Sequence, residues 1–405
     1  MSHEIKNEFL REMDARGLLY QCSNLAGLDA AMNAGSITAY WGTDPTGDSL
    51  HVGHLASLML LRWFQKFGHK PIGLVGGATG RVGDVPTKSN DVVRPALTDA
   101  EVEQNLAGLR RSINKILPTE ILMVDNYEWH KGYGHLEFLR EYGRQFTIAH
   151  MLSMESVRRR MEHGLTFQEF NYMTIQAVDF LHLYKEHNCV LQLCGADQWG
   201  NCIMGIELIR KKLGKEAFVL STSLITDSAG EKIGKTGGNA VWLNEDRTSP
   251  YEYYQYFRNV ADVDVDKFLK IYTEIPLDEI AKLSALKGQE INEAKKILAF
   301  EATKIAHGTD AARAACDAAN ALFSGGGQSA AIPTIEVSGI SDQVSVLDFI
   351  MMTDLFPSKS EARRTIEQGG LKIDDVVMNM DSVITPTDGM MVQKGKKTFL
   401  KVVIK

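Results

Sequence analysis

The stretch Tyr40–His54, YWGTDPTGDSLHVGH, joins a short apolar run to a helix through a cluster of turn formers. Ile37–Trp41 reads as a strand and GTDPTGDS as the turn. VGHLASLMLLRWFQKFG then reads as a helix, opened by His51 and stopped at Gly68. A second apolar run, PIGLV at Pro71–Val75, leads at once into GGATGRVGD. Further strands are expected at Ile121–Val124 and Val190–Leu193. Strand, turn, helix, strand in that order predicts an α/β fold with a parallel sheet and crossover helices. The turn brings His51 and His54 to the start of a helix, where backbone N–H groups lack partners and the dipole is positive. Such a place suits phosphate oxygens, and Gly53 lets a ribose or a flat ring approach the backbone. The same spacing also fits a capping His51 and a packed His54, and the pair alone leaves both readings open.

Outward from this segment, 405 residues exceed one core, so two or three domains are expected. Glu4–Gly35 reads as helices with stops at Gly17 and Gly35. After Ala240 the pattern turns helical: Ser249 is an N-cap, Pro250 takes the first helical position, and helix continues to about Phe323. SGGGQSAAIP at Ser324–Pro333 has linker composition. We therefore expect a Rossmann-like parallel-sheet domain over 1–240 with an inserted segment at about 125–190. An α-helical domain over 241–323, a linker over 324–343 and a small α+β module over 344–405 follow.

The N-terminus is charged and amphipathic without a secretory apolar core, and no apolar run has the length of a bilayer span. A cytoplasmic protein without membrane contact is expected. Five cysteines in no CxxC pairing read as reduced thiols, and no structural zinc or other bound metal is expected. The net charge of −7 argues against a nucleic-acid-coated protein. Residues 345–405 nevertheless carry nine Lys and Arg against eight Asp and Glu, a locally basic end on an acidic body.

DPTGDSLHVGH resembles the HIGH motif of class I aminoacyl-tRNA synthetases in its tyrosyl form. VGGATGRVGD (Val75–Asp84), FNYMTIQAVDF (Phe170–Phe180), LQLCGADQWGN (Leu191–Asn201) and KIGKT (Lys232–Thr236) follow in that family's order, the last similar to KMSKS. The resemblance implies attack of a tyrosine carboxylate on the α-phosphate of ATP, which enters with Mg2+, and transfer of tyrosine to the 3′ end of its tRNA. A carboxylate is already a nucleophile, so positioning and donors aimed at phosphate charge must carry the catalysis. By resemblance, Thr46 and His51 contact the phosphate under attack and the leaving pyrophosphate, and His54 lies near the nucleotide. Lys232, Lys235 and Thr236 belong to a loop, rich in glycine, that folds over the pyrophosphate; by itself the loop reads equally as a solvated hairpin tip. Tyr40 and Asp179 meet the substrate phenol, Asp84, Tyr172 and Gln176 hold its ammonium, and Gln198 lies near its carboxyl carbon. Gly42, Asp44, Gly53, Gly195, Asp197 and Lys235 line the ATP site, Gln192 supports the pocket, and Lys88 aligns beside the phosphates. Tyr172, Gln176 and Asp179 at i, i+4 and i+7 share one helix face, which supports the assignment independently.

Trp41 stands where the family commonly has cysteine, Thr43 replaces a usual phenylalanine, and GDVPTKS stands for GDPSGKS. The terminal module resembles the S4 RNA-binding fold, with Lys359, Arg363 and Arg364 toward RNA phosphates. The family also implies a homodimer meeting near Phe146–Phe167, with Arg158, Arg159 and Arg160 facing the tRNA acceptor arm or forming a solvated basic face. Rival readings are a tryptophanyl enzyme, disfavoured by Tyr40 with Asp179, and a catalytically silent RNA-binding relative, disfavoured by His51, His54, Lys232 and Lys235. A nicotinamide or flavin enzyme lacks its GxGxxG spacing.

Overall fold

The computed structural model describes residues 4–84, 97–228, 230, 233, 235–236, 239–323, 334–337, 343–353, 355–356, 358–395 and 398–404. By packing these form two units, Met1–Arg247 with Val260–Ala294, and Thr248–Asn259 with Lys295–Lys405. The helices of 260–294 thus pack with the first unit, whereas the sequence pattern groups them with the helices on either side.

The first unit is built on a six-stranded sheet. Its strands are β1 (Gln21–Cys22), β2 (Thr38–Thr43), β3 (Lys70–Val75), β4 (Leu122–Asp125), β5 (Cys189–Gly195) and β6 (Phe218–Thr222). They lie in the order β1-β6-β5-β2-β3-β4, all parallel except β1 at one edge. Ala39, Tyr40, Trp41, Ile72, Leu74, Leu191 and Leu193 are all buried, the near-continuous apolar run that a doubly covered parallel strand needs. Periodicity had not marked β1 or β6. β1 is only two residues long, and β6 (FVLST) is too short a run to separate from helix by pattern.

Three helices carry most of the site: α1 (Val52–Lys66), α2 (Phe167–His187) and α3 (Trp199–Leu213). α2 starts with a reciprocal cap, Thr166 accepting from Glu169 N and the Glu169 carboxylate accepting from Thr166 N. It ends at Asn188, which takes the left-handed conformation at φ 49°. α2 and α3 approach so closely that a Cβ on Gly205 would sit 2.9 Å from the Phe180 ring. No described helix is long and apolar enough to cross a membrane.

In the second unit, Ser249 caps the helix Pro250–Arg258 with proline at its first turn. A five-stranded sheet orders Val376–Val377, Leu371–Ile373, Met391–Lys394, Thr398–Ile404 and Thr334–Val337. Most of the expected linker lies outside the described residues, but Thr334–Val337 within it pairs in parallel with Thr398–Ile404. This corrects the linker reading. The strand TIEV is four residues with one buried side chain, a pattern invisible until its partner is known.

Candidate active site

Chain order reverses between β2 and β5, since β3 and β4 add on one side of β2 and β5 and β6 on the other. In a parallel sheet the crevice beyond the carboxyl ends of such strands is where ligands bind. Here it receives the loop after β2 (Asp44–His51), the loop after β3 (Gly76–Asp84) and the turn after β5 (Ala196–Gln198).

One hydrogen-bonded chain runs across this crevice. Tyr172, from α2, donates its hydroxyl to Asp44 Oδ2 at 2.8 Å, and Thr79 donates to Asp44 Oδ1 at 2.6 Å. Asn126 Nδ2 donates to Thr79 Oγ1 and to Asp179 Oδ2, each at 3.0 Å. The fully buried Asn126 also accepts from Ala78 N at 2.7 Å through its side-chain oxygen, so it ties the β3 loop to α2. Gly76 is required here, because a Cβ would collide with both Asp44 Oδ1 and Thr79 Oγ1. Burial pushes the Asp44 carboxyl up to about 7; Thr79 and Tyr172 oppose the rise, while Asp84 and Asp179 add to it. Asp84 and Asp179 in the crevice therefore both raise the cost of ionising Asp44.

Asp179 is 1 % exposed and is held from three directions. Beside Asn126, Trp129 Nε1 donates to its Oδ1 at 2.8 Å and His130 Nε2 lies 2.7 Å from the same oxygen. The Tyr40 ring packs against Phe180 at 5.3 Å between centroids. Its hydroxyl is buried without a hydrogen-bond partner among the described residues, and the Asp179 charge acts on it. The Gln176 and Gln192 side-chain oxygens are likewise buried and unpartnered. Buried polar atoms are nearly always satisfied, and these three lie on β2, α2 and β5, elements that bound the crevice.

The two histidines show the capping arrangement that their spacing allows. His51 is the N-cap of α1 and accepts from Gly53 N at 3.0 Å through Nδ1; His54 accepts from His51 N at 3.3 Å through its own Nδ1. Burial, with His51 beside it, pushes His54 down to about 3, so its imidazole is neutral. With each Nδ1 accepting, the inferred tautomer leaves Nε2–H as a donor on both rings. Backbone of residues 241–243 runs antiparallel to this turn, with Val52 N on Val241 O at 2.9 Å and Leu243 N on Leu50 O at 2.8 Å. A Cβ on Gly53 would lie 2.6 Å from the His51 ring and 3.0 Å from Ile233 O. Ile233 and the first turn of α1 are therefore neighbours.

The remaining expected residues divide. Asp84 accepts from Gln198 Nε2 at 2.9 Å and lies 3.4 Å from Asn201 Nδ2, so it stands with β5 and α3. Tyr172 bonds Asp44 and not Asp84, and Gln176 directs its amide to Cys202 Sγ at 3.8 Å. Asp197 is exposed at the turn after β5, Gly42 is exposed within β2 and Thr46 in the loop that follows it. Lys232 and Lys88 lie outside the described residues; Lys235–Thr236 pairs with Asn239–Ala240 as a two-stranded hairpin. Trp41 is buried in β2. In the second unit Arg363 and Arg364 are exposed on the helix Lys359–Glu367, while Lys359 lies 3.8 Å from Asp348. Arg160 corrects an expectation: it is 6 % exposed and paired with Glu169 at 3.4 Å, leaving Arg158 and Arg159 on the surface. Asn126, Trp129 and His130 had escaped notice. Three donor-bearing side chains at i, i+3 and i+4 directly after an expected strand were the available signal.

Residues 32–324 match the family of tRNA synthetases class I (W and Y). The chain is 48 % identical over 379 residues to a tyrosine–tRNA ligase of Caulobacter vibrioides strain NA1000, covering 91 % of this chain and 90 % of that protein. It is 44 % identical over 404 residues to one of Caldanaerobacter subterraneus, covering 98 % and 99 %. Among solved structures, a C-terminally truncated mitochondrial tyrosyl-tRNA synthetase of Aspergillus nidulans superposes with a TM-score of 0.70 at 28 % identity, over 78 % of this chain and 95 % of that one. The chain belongs to the class I tRNA synthetases of the W and Y family, and within it to the bacterial-type tyrosyl-tRNA synthetases.

Proposed function

We propose that the crevice activates L-tyrosine with ATP and passes it to tRNA, with the roles divided along the hydrogen-bonded chain described above. The substrate phenol enters between Tyr40 and Asp179, where it donates to the carboxylate and satisfies the Tyr40 hydroxyl. Its ammonium sits among Asp84, Tyr172 and Gln176, because a cation there offsets the unfavourable effect of Asp84 and Asp179 on the Asp44 charge. Its carboxylate then faces the α-phosphate beside Gln198, with the ribose on Asp197 and the backbone of Gly42, Gly53 and Gly195. His51 and His54 act as neutral N–H donors to phosphate oxygens, with Thr46 beside them and Lys232, Lys235 and Thr236 closing from the KIGKT loop. Donors already in place need no reorganisation when charge develops, which is how such a site lowers the barrier. Magnesium enters with the ATP phosphates. In the second unit the S4-like module over 344–405 attaches RNA through Arg363 and Arg364, with Lys359 contributing once released from Asp348. A cytoplasmic homodimer, meeting through the insertion that bears the exposed Leu136, Ile148, Met161 and Phe167, completes the reading.

The observation that carries this reading is the buried, unpartnered Tyr40 hydroxyl within the field of a triply held Asp179. Pyrophosphate exchange with tyrosine, tryptophan or phenylalanine offered separately tests it. Wild type is expected to exchange with tyrosine, and Asp179→Ala to lose roughly a hundredfold in kcat/KM for tyrosine. Exchange with tryptophan in preference to tyrosine, or an unimpaired Asp179→Ala, would refute it.

A further inference from the structure

His130 stands beside Asp179 and has no place in the roles above. It ends a four-residue helix, Tyr127–His130, entered from Asn126. Asn126, Trp129 and His130 stand at i, i+3 and i+4, so one face of one turn turns three N–H groups toward a single carboxylate. A carboxylate offers about four acceptor sites. Three are filled here: Oδ2 by Asn126 at 3.0 Å, and Oδ1 by Trp129 at 2.8 Å and His130 at 2.7 Å. Both oxygens are thereby committed in orientation, and the remaining acceptor site belongs to Oδ2.

The other two donors have further duties. Asn126 also holds Ala78 and Thr79, and the Trp129 indole stacks on His182 at 4.2 Å with 17° between planes. Among the described residues the His130 ring makes no other side-chain hydrogen bond, and it lies beside Trp129 and Tyr133, each at 6.2 Å between centroids. Its Nε2 makes the shortest of the three approaches, and no lysine or arginine among the described residues pairs with Asp179. Because a carboxylate accepts, the inferred tautomer places the proton on Nε2.

We infer that His130 is a positioning residue for recognition of the tyrosine phenol. It pins Asp179 Oδ1 so that the carboxylate presents Oδ2 to the substrate hydroxyl in one orientation. This rests on the assignment of Tyr40 and Asp179 to the phenol. A carboxylate free to rotate would meet the hydroxyl in several poses and would discriminate less sharply against phenylalanine, which offers no hydroxyl at all.

The test compares His130→Phe, which keeps a ring among aromatic neighbours but has no N–H, with His130→Gln, which restores a donor. Asp179→Asn is the control, and melting temperatures are recorded for all three. In pyrophosphate exchange, His130→Phe is expected to raise the KM for tyrosine roughly tenfold, leave the KM for ATP unchanged, and narrow the preference for tyrosine over phenylalanine by the same factor. His130→Gln should recover most of the loss. Equal impairment in both variants, or a tyrosine KM that moves in neither while Asp179→Asn raises it, overturns the role of His130 alone. A tyrosine KM untouched by Asp179→Asn overturns the phenol assignment itself. Should His130→Phe fail to fold, His130→Gln decides by itself: a near-wild-type tyrosine KM supports the role, and a loss matching Asp179→Asn overturns it.

Discussion

Tyr172 and Asp44 lie 128 residues apart in sequence and meet across the crevice, the phenol O–H on Asp44 Oδ2 at 2.8 Å. That bond opposes the rise of the Asp44 pKa, so removing it should drive the carboxyl further above about 7. For Tyr172→Phe we expect the KM for tyrosine to rise about tenfold. Any alkaline-rising limb of kcat/KM that reports Asp44 should move to higher pH. Exchange kinetics over a pH series measure both, and an unmoved profile would separate Asp44 from the rate.

Asp44 and His54 should bend the stability curve in opposite directions. Asp44 titrates at 3.8 when unfolded and about 7 when folded; His54 goes from 6.5 to about 3. Between pH 3.8 and 6.5 the folded chain holds an extra proton at Asp44 and lacks one at His54. The first lowers stability as pH rises, the second increases it, and each slope is about 1.4 kcal/mol per pH unit. Wild type should show the two cancelling. Asp44→Asn should leave the His54 slope, with stability falling on acidification, whereas His54→Gln should leave stability falling as pH rises. Urea midpoints at several pH values decide the matter, and parallel curves for all three proteins would contradict the assignment.

Tyr40→Phe separates stability from function. The hydroxyl is buried without a partner among the described residues, so deleting it should stabilise the substrate-free protein by about 1 kcal/mol. The same change removes a contact to the substrate phenol and should raise the tyrosine KM about tenfold. Thermal melts without ligand, set beside exchange kinetics, read the two effects; a destabilised Tyr40→Phe would mean the hydroxyl already has a partner in solution.

Arg160 is expected to matter for folding and Arg158 not to. Arg160 and Glu169 are 6 % and 7 % exposed as side chains, and Glu169 also accepts from the Thr166 hydroxyl at 2.8 Å at the start of α2. Arg160→Ala should strand that carboxylate and cost roughly 3–5 kcal/mol, while exposed Arg158→Ala should stay within about 0.5 kcal/mol. Chemical denaturation distinguishes them, and comparable losses in both would put Arg160 back on the surface.

Much of the fold could be read along the chain because its signals are local. VGHLASLMLLRWFQKFG repeats its apolar residues at helical spacing before Gly68 (φ 80°), and Ser249-Pro250 supplies a cap and a first turn without reference to anything distant. β6 and Thr334–Val337 were missed because their identity as strands depends on partners supplied from elsewhere. In the site, α2 could be assigned an inward face from Tyr172, Gln176 and Asp179, yet which carboxylate Tyr172 meets depends on how the β2 loop lies over α2.

By itself the sequence determined the family and the order of the motifs. Those follow from residue type and spacing, which survive without coordinates. Only the tertiary structure decided that Tyr172 serves Asp44, that Asp84 stands with Gln198, that Arg160 is buried, and that Asn126, Trp129 and His130 converge on Asp179. Side-chain pairing across a sheet is set by strand order and loop path, and neither is encoded in the neighbourhood of any one residue.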